Sequence, residues 1–230
     1  MIDEVIRVAV VASVWAIPVI VAITFHEAAH GYAALRFGDT TALMAGRVSM
    51  NPLRHVDAFG TILLPALLLL TKAPFLFGYA KPVPVDFSRL HHPRRDMVWV
   101  AAAGPGINIL LALISALLLH AAALAPGWAA PWLIANLNNS IVINAVLAVF
   151  NMIPLPPLDG GRVAVGLLPD AIAYPLARLE KYGLVILLAA LFLLPFIGGR
   201  LGLNLDIFRW IVGIPAGNLI ELIATLTGHR

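Results

Sequence analysis

The chain has 230 residues, of which 61% are hydrophobic and only 12% are charged. An ordinary soluble domain has about twice that charged fraction, so the composition excludes a conventional soluble protein and indicates a membrane protein. The absence of cysteine excludes disulfides, thiolate metal sites and cysteine nucleophiles. The formal net charge is +3, and in so apolar a chain the excess of Lys and Arg favours a cytoplasmic membrane face over nucleic-acid binding.

Several apolar segments are long enough to cross or enter a bilayer, which requires about 20 apolar residues for a full crossing. The first segment, 5–37, contains Pro18. Segment 58–71 is shorter and is interrupted by Pro65, so it is predicted to enter the membrane and return. Segment 77–86 is rich in proline and is predicted to be an edge strand or extended loop. Further helices are predicted at 97–124, 132–150 and 182–197, and 203–227 is predicted to be either a last span or an interfacial helix.

His26, Glu27 and His30 form an HExxH pattern near the end of the first apolar segment. In a helix, positions i and i+4 lie on one face, so both imidazoles can reach one Zn²⁺. Glu27 stands beside them, where it can take a proton from a metal-bound water. No charged residue occurs between Val8 and Phe25. Ionisable groups at the edge of such a span usually mark a functional site.

A hydrolytic zinc site takes three protein ligands and keeps one position for water, so the HExxH pair needs a third ligand. Asp159 is the best candidate among the 12 acidic residues of the chain. It follows a proline-rich stretch that cannot continue a helix, and Gly160 and Gly161 come directly after it. Irregular backbone at membrane depth is tolerated where it lines a cavity. The sequence therefore predicts one Zn²⁺ per chain, bound by His26, His30 and Asp159.

The distribution of basic residues predicts the orientation in the membrane. The connections on both sides of segment 58–71 are basic, with Arg47 and Arg54 in the first and several Lys and Arg residues in the second. Because basic loops stay inside the cell, the first helix runs from outside to inside and carries His26 and His30 in its cytoplasmic half. We therefore expect a multi-pass protein of the cell (plasma) membrane with its active site toward the cytoplasmic side.

These residues predict metal-assisted peptide hydrolysis. The metal would lower the pKa of its water from ~15.7 toward ~7, and Glu27 would accept that proton and could later give it to the leaving amine. Asn151 and Asn108 are candidates for an amide donor that stabilises the oxyanion or pairs with the substrate backbone. A transmembrane substrate must first be unwound locally, and segment 77–86 could pair with it as an added strand.

The chain resembles the site-2 intramembrane metalloproteases. The resemblance rests on HEAAH in the first helix, GPGIN in a later helix and NMIPLPPLDGG at the end of the next one. The segments GRVSMNPLRHVDAFGTILLP and GYAKPVPV also resemble the compact bacterial and archaeal members, and the similarity covers roughly residues 5–165. The resemblance implies an intramembrane zinc metalloendopeptidase. The site residues that it implies are the ligands His26, His30 and Asp159, the base Glu27, and the substrate- or oxyanion-binding residues Asn151 and Asn108.

The predicted fold class is an all-α multi-pass membrane protein of about five to six membrane helices, with a re-entrant segment and a small β-hairpin or extended loop near the active site. Residues 1–230 are expected to form one membrane-embedded domain, with a catalytic core at about 5–165 and C-terminal helices at about 166–230. The expected partners are a transmembrane protein or peptide substrate and the lipid bilayer, without nucleic acid. Many family members carry a PDZ domain or a CBS pair, and neither is found here, so substrate selection is assigned to the membrane core or to a regulatory membrane partner.

Two other functions stay open at this point. A transporter or channel could use the same two histidines and Asp159 to bind an ion, and a catalytically silent relative could act as a binding protein or chaperone. Glu27 and the lack of evident inverted halves favour hydrolysis over transport.

Several residues also have plain structural interpretations. Asn108 fits a helix-packing role as well as a catalytic one, Asn151 could cap a broken helix, and Asp159 could be a turn residue. The segment Gly104-Pro105-Gly106 could be a kink that lets helices approach. The remaining polar residues are assigned to packing or lumen lining, namely Asn136, Asn138, Asn139 and Asn144, or to the surface and interface, namely His55, His91, His92 and His120.

Overall fold

The structure is a computed structural model that describes residues 2–63, 67, 70, 80–122 and 124–229. Eight α-helical segments are described in these ranges. Three short helical turns accompany them, at Pro52–Arg54, Ala58–Leu63 and Phe87–Arg89. The helices, in chain order, are α1 (Ile2–Arg36), α2 (Thr41–Met44), α3 (Pro93–Ala122), α4 (Ala130–Asn151), α5 (Asp159–Leu167), α6 (Asp170–Arg178), α7 (Glu180–Arg200) and α8 (Arg209–Leu226).

Within the described part of the chain, five helices are long and apolar enough to cross a membrane by length and composition. They are Ala9–Arg36 of α1, and the whole of α3, α4, α7 and α8. The predicted all-α multi-pass class is therefore confirmed, and segment 203–227 contains a helix of spanning length. Helix α7 includes a π-helical stretch at Ala189–Leu193, and α8 begins with another at Arg209–Gly213.

Helix α3 is the centre of the bundle and packs against α1, α4 and α5. Small residues make these contacts close: Ala112 and Ala116 of α3 are buried against Ile141 of α4 and Ile223 of α8. In lipid the hydrophobic effect does not drive helices together, so small side chains that let backbones approach and pack by dispersion provide much of the attraction. The close approach of α1 to α3 brings polar residues of these two helices together.

Helix α4 ends at Asn151, and the chain turns sharply through residues 152–158 before α5 begins at Asp159. The prolines at 154, 156 and 157 prevent a continuous helix, as predicted. Gly160 and Gly161 lie so close to the backbone of Met152 and Pro156 that a Cβ atom at either position would overlap it. This tight turn holds the first turn of α5 against the chain that follows the end of α4.

The connection between α5 and α6 is fastened to the start of α3. Arg94 donates hydrogen bonds to the carbonyl oxygens of Gly166 and Leu168, and its guanidinium lies 2.5 Å from a carboxylate oxygen of Asp170. The short amphipathic helices α5 and α6 were not predicted as separate elements, because each is too short for a clear periodic pattern.

Residues 80–86, which we call the strap, contain no regular helix or strand. Val83 is buried whereas Pro82 and Pro84 are exposed, so side chains alternate as in an extended segment. No strand is assigned among the described residues, so the β-hairpin alternative is not confirmed, and residues 77–79 lie outside them. The predicted re-entrant segment 58–71 is described only at 58–63, 67 and 70, where it is helical, and its return lies outside the described residues.

The two ends of the bundle contain different segments of the chain. The C-terminal ends of α8 and α3 lie together, because His120 Nε2 is 2.8 Å from the Thr227 carbonyl oxygen and His229 Nε2 is 2.7 Å from that of Ala116. We call this the far end. The opposite end of the bundle, which we call the site end, contains the strap, the start of α3 and the turn before α5.

Candidate metal centre

Three side chains from α1 and α5 converge at the site end. His26 Nε2 and His30 Nε2 lie 3.2 and 3.4 Å from Asp159 Oδ2 and 3.1 Å from each other. His26 and Asp159 are each only 7% exposed. The helical spacing of the histidines and the tight turn before α5 account for this meeting of segments more than 120 residues apart in sequence.

The hydrogen bonds at the other ring nitrogens determine the tautomer of both imidazoles. His30 Nδ1 lies 2.8 Å from the carbonyl oxygen of Val100, which can only accept, so Nδ1 carries the proton. His26 Nδ1 lies 2.6 Å from Asn108 Oδ1 and donates to it. In the neutral form of each imidazole, Nε2 therefore presents a lone pair to the centre. Metal-binding histidines commonly have this arrangement, with the second ring N–H held by a carbonyl or carboxylate.

This geometry fits a bound cation. Two imidazole lone pairs and a carboxylate oxygen face one another, and Asp159 Oδ2 is buried without a hydrogen-bond donor. Such a group of acceptors repels itself unless a positive charge lies between them. Two histidines and one carboxylate, with a position left for water, form a donor set of hydrolytic zinc sites. Among the described residues, these three are the group of His, Asp and Glu side chains that could hold a metal ion.

Gly104 of α3 forms the wall of this centre. A Cβ atom at this position would lie 2.5 Å from His30 Nε2 and 2.6 Å from His26 Nε2, closer than atoms of these types approach. Glycine is therefore required for α3 to pass this close to the imidazoles. The sequence pattern Gly104-Pro105-Gly106 suggested a kink that lets helices approach, but the contact of Gly104 with the histidines was not predicted.

Glu27 points to the strap. Its Oε2 accepts a 2.7 Å hydrogen bond from the backbone N–H of Val83. The strap is held in turn at both ends: the Lys81 N–H donates to the His55 carbonyl at 2.9 Å, and the Asp86 N–H donates to Asp39 at 2.8 Å. One carboxylate oxygen of Glu27 is thus held by a backbone donor, and the position of that donor depends on the strap.

The residues that hold the strap in place, namely Asp39, Arg47 and His55, were not predicted as functional residues. Asp39 is fully buried, and the buried guanidinium of Arg47 donates to the Lys81 carbonyl. His55 is only 2% exposed, so its assignment to the surface was wrong. Its Nε2 lies 2.8 Å from the carbonyl oxygen of Ser49, so one nitrogen of the buried imidazole is hydrogen-bonded. The other three histidines assigned to the surface are exposed, namely His91, His92 and His120.

The two asparagines predicted to assist catalysis occupy different surroundings. Asn108 is fully buried and is hydrogen-bonded to Nδ1 of His26, the ring nitrogen that does not face Asp159. Asn151 is the last residue of α4 and donates to the Leu147 carbonyl of its own helix at 3.0 Å. Among the described residues, no hydrogen bond joins Asn151 to the three converging side chains. Asn144, which was assigned to packing or lumen lining, accepts a hydrogen bond from Asn108.

The apolar helices and the donor set of this centre fit a membrane metalloprotease, and comparison with known proteins agrees. The sequence profile described as Peptidase family M50 matches residues 121–194, a region that includes Asp159. The protein named "Putative zinc metalloprotease YwhC" of Bacillus subtilis is 40% identical over 188 residues, which cover 78% of this chain and 80% of that protein. The chain therefore belongs to the M50 family of zinc metalloproteases, the site-2 protease family, and has a single zinc site.

More distant relatives carry a related name. Proteins named "Putative zinc metalloprotease Rip2" are 31% identical over 182 residues in Mycobacterium tuberculosis and 28% identical over 174 residues in Mycolicibacterium smegmatis. These matches cover 78% and 75% of this chain, and 66% and 64% of the relatives, so the chain spans slightly less than two thirds of Rip2. No solved structure matches the chain significantly.

Proposed function

We propose that this metalloprotease is an intramembrane endopeptidase that hydrolyses peptide bonds in or near transmembrane segments of other proteins. The observation that carries the proposal is the convergence of His26 Nε2, His30 Nε2 and Asp159 Oδ2 beside helices apolar enough to cross a membrane. We assign these three residues as the zinc ligands. When bound, zinc supplies Lewis acidity, which acidifies water and polarises a carbonyl group.

Glu27 is assigned as the general base. It follows His26 directly in α1, and one of its oxygens accepts from the Val83 N–H, which leaves the other oxygen available to take a proton from water and to return it to the leaving amine. The Val83 donor restricts rotation of the carboxylate without removing its capacity to accept. A transporter has no need of a base held in this way, and membership of a peptidase family supports the hydrolytic alternative.

The strap is proposed to receive the unwound substrate. In an extended segment, the backbone groups of alternate residues face opposite edges. Lys81 uses its N–H and carbonyl groups, and Val83 its N–H, on the protein side. Pro82 and Pro84 have no N–H, so at these two positions the outer edge of the strap offers carbonyl acceptors only. The substrate backbone would therefore donate its N–H groups to this edge, and Asn151 is retained as a proposed substrate- or oxyanion-binding residue.

The substitution Glu27→Gln tests this function. Glutamine keeps an oxygen that can accept from Val83 but cannot take a proton, so cleavage of a single-span model substrate should fall at least about a hundredfold while zinc content stays near one per chain. Glu221→Gln in α8 is the matched control and should cleave normally. Normal cleavage by the Glu27 variant would contradict the base, and loss of its zinc would show that a change in the centre, not proton transfer, caused the defect.

The basic residues near the strap and the start of α3 support placing the site end in the cytoplasm, in the plasma membrane of the cell. Because the chain contains no cysteine, single cysteines can be introduced into a clean background. In intact cells, a membrane-impermeant maleimide should label Gly127→Cys at the far end but not Arg95→Cys at the site end. The reverse pattern would contradict the proposed orientation.

A further inference from the structure

Asn108 connects a metal-binding imidazole to two neighbouring helices. Its Oδ1 lies 2.6 Å from His26 Nδ1, and its Nδ2 donates to Asn144 Oδ1 at 2.7 Å and to the Ala22 carbonyl at 3.3 Å. Both Asn108 and Asn144 are 0% exposed. Both amide hydrogens of Asn108 are therefore in use, and neither is available to a substrate. These hydrogen bonds favour a positioning role for Asn108 over the substrate- or oxyanion-binding role that the sequence suggested.

The hydrogen-bond chain continues through α4 to a second contact with α3. Asn144 Nδ2 donates to the Ser140 carbonyl at 2.9 Å and lies 3.2 Å from the Ser140 hydroxyl. The Ser140 hydroxyl in turn lies 2.8 Å from the Ser115 hydroxyl. The Ser140 carbonyl can only accept, so it determines which end of the Asn144 amide faces it. The remaining oxygen of Asn144 then faces Asn108 and determines the orientation of that amide as well.

We propose that Asn144 and Asn108 form an interhelical relay that positions His26 for metal binding. Each amide orients the next, and the last oxygen holds the proton of His26 on Nδ1, so that the Nε2 lone pair faces Asp159. Asn108 is thus a positioning residue that acts through His26. The inference rests on the proposed ligand set, and it links the packing of α4 on α3 to the affinity for zinc.

The second histidine is held differently. His30 Nδ1 is bonded to the backbone carbonyl of Val100, which no side-chain substitution removes. Of the two Nδ1 hydrogen bonds, only that of His26 is therefore made to a side chain of a neighbouring helix. Loss of the Asn108 or Asn144 amide should weaken metal binding through His26 and leave the hydrogen bond of His30 in place.

Zinc affinity of the purified protein, measured by competition with a chromophoric chelator, tests the relay. Asn108→Leu has a similar volume but no acceptor, and should weaken binding by about 10- to 100-fold, as outer-shell substitutions do. Asn144→Leu should cause a smaller loss. Because the two residues act in series, the double variant should bind zinc no more weakly than Asn108→Leu alone.

Asn139→Leu is the matched control. Asn139 lies in the same helix as Asn144 and donates to the Val14 carbonyl of α1 at 2.8 Å, an interhelical bond that does not reach the ligands. Its loss should leave zinc affinity unchanged, although it should lower the thermal midpoint of the metal-free protein as Asn108→Leu does. Equal zinc affinities of the Asn108 and Asn139 variants would overturn the relay.

Two further variants distinguish a failure of the relay from a failure of the proposed ligand set. Asn108→Asp keeps an acceptor for the His26 proton, so it should bind zinc more tightly than Asn108→Leu even if both unfold more easily than the unaltered protein. Equal weakness of the two would overturn the relay. His26→Ala tests the ligand set itself: retention of zinc by this variant would contradict the proposed function, whatever the behaviour of Asn108.

Discussion

The two halves of the proposed active site are held by different kinds of structure. The ligand half is surrounded by packed helices, with His26 and His30 bonded to groups of α3 and with Gly104 against both rings. The base half depends on the strap, an irregular segment whose backbone N–H at Val83 contacts Glu27. Metal binding should therefore be sensitive to helix packing, and proton transfer should be sensitive to the strap. The two functions can be separated by mutation.

The largest effect is expected at Gly104. An alanine Cβ would overlap both imidazoles, and because backbone atoms of α3 cannot easily retreat, Gly104→Ala should weaken zinc binding by at least about the 10- to 100-fold typical of outer-shell changes. Gly106→Ala is its control, since a Cβ there meets nothing within 4 Å. Metal content after dialysis distinguishes them. Similar zinc content in the two variants would show that α3 does not restrict the ligands.

A smaller effect is expected at Val83, and it should fall on the base half of the site, which contains Glu27 and the strap. Val83→Pro removes the N–H that Glu27 accepts from, and a hydrogen bond to a charged group contributes about 1.5–3 kcal/mol, which corresponds to about 10- to 100-fold in rate. We expect kcat to fall within that range, with little change in zinc content.

Val83→Ala keeps the backbone donor and loses only the methyl groups that pack near Gly31. It should therefore retain most of the activity of the unaltered protein. If the alanine and proline variants lose the same activity, packing of the side chain and not the backbone N–H supports Glu27.

The smallest effect is expected at the anchor of the strap. Asp39 accepts from the N–H groups of Thr41 and Asp86, and Asp39→Asn replaces one acceptor by a donor that opposes a neighbouring N–H. The free energy of unfolding should decrease by about 1–3 kcal/mol, with a smaller loss of kcat than in Val83→Pro and normal zinc binding. Thermal unfolding and cleavage assays measure both. Loss of zinc in this variant would contradict the separation of the two halves.

The convergence of His26, His30 and Asp159 could be predicted because the sequence signals for these residues are local or compositional. The spacing of His26 and His30 places them on one helix face, and Asp159 stood out as an acidic residue after a break in an apolar chain. The membrane helices followed from their length and apolar composition.

The surroundings of the ligands could not be predicted in the same way. Contact of Gly104 with the two imidazoles, and of Asn144 with Asn108, depends on how α3 and α4 are rotated about their axes, which results from packing between distant segments. The donor to Glu27 is a backbone N–H, and every residue except proline has one, so Val83 carries no pattern. His55 has a polar side chain in a polar connection, and only the folded chain shows that it is buried beneath the strap.

The central claim is that His26, His30 and Asp159 together bind one zinc ion. X-ray absorption at the zinc edge, measured on the purified protein with its metal content, tests it most directly. We predict about one zinc per chain with a first shell of nitrogen and oxygen that contains two imidazoles, and loss of that signal in Asp159→Ala. An unchanged spectrum and full zinc content in Asp159→Ala would contradict the account.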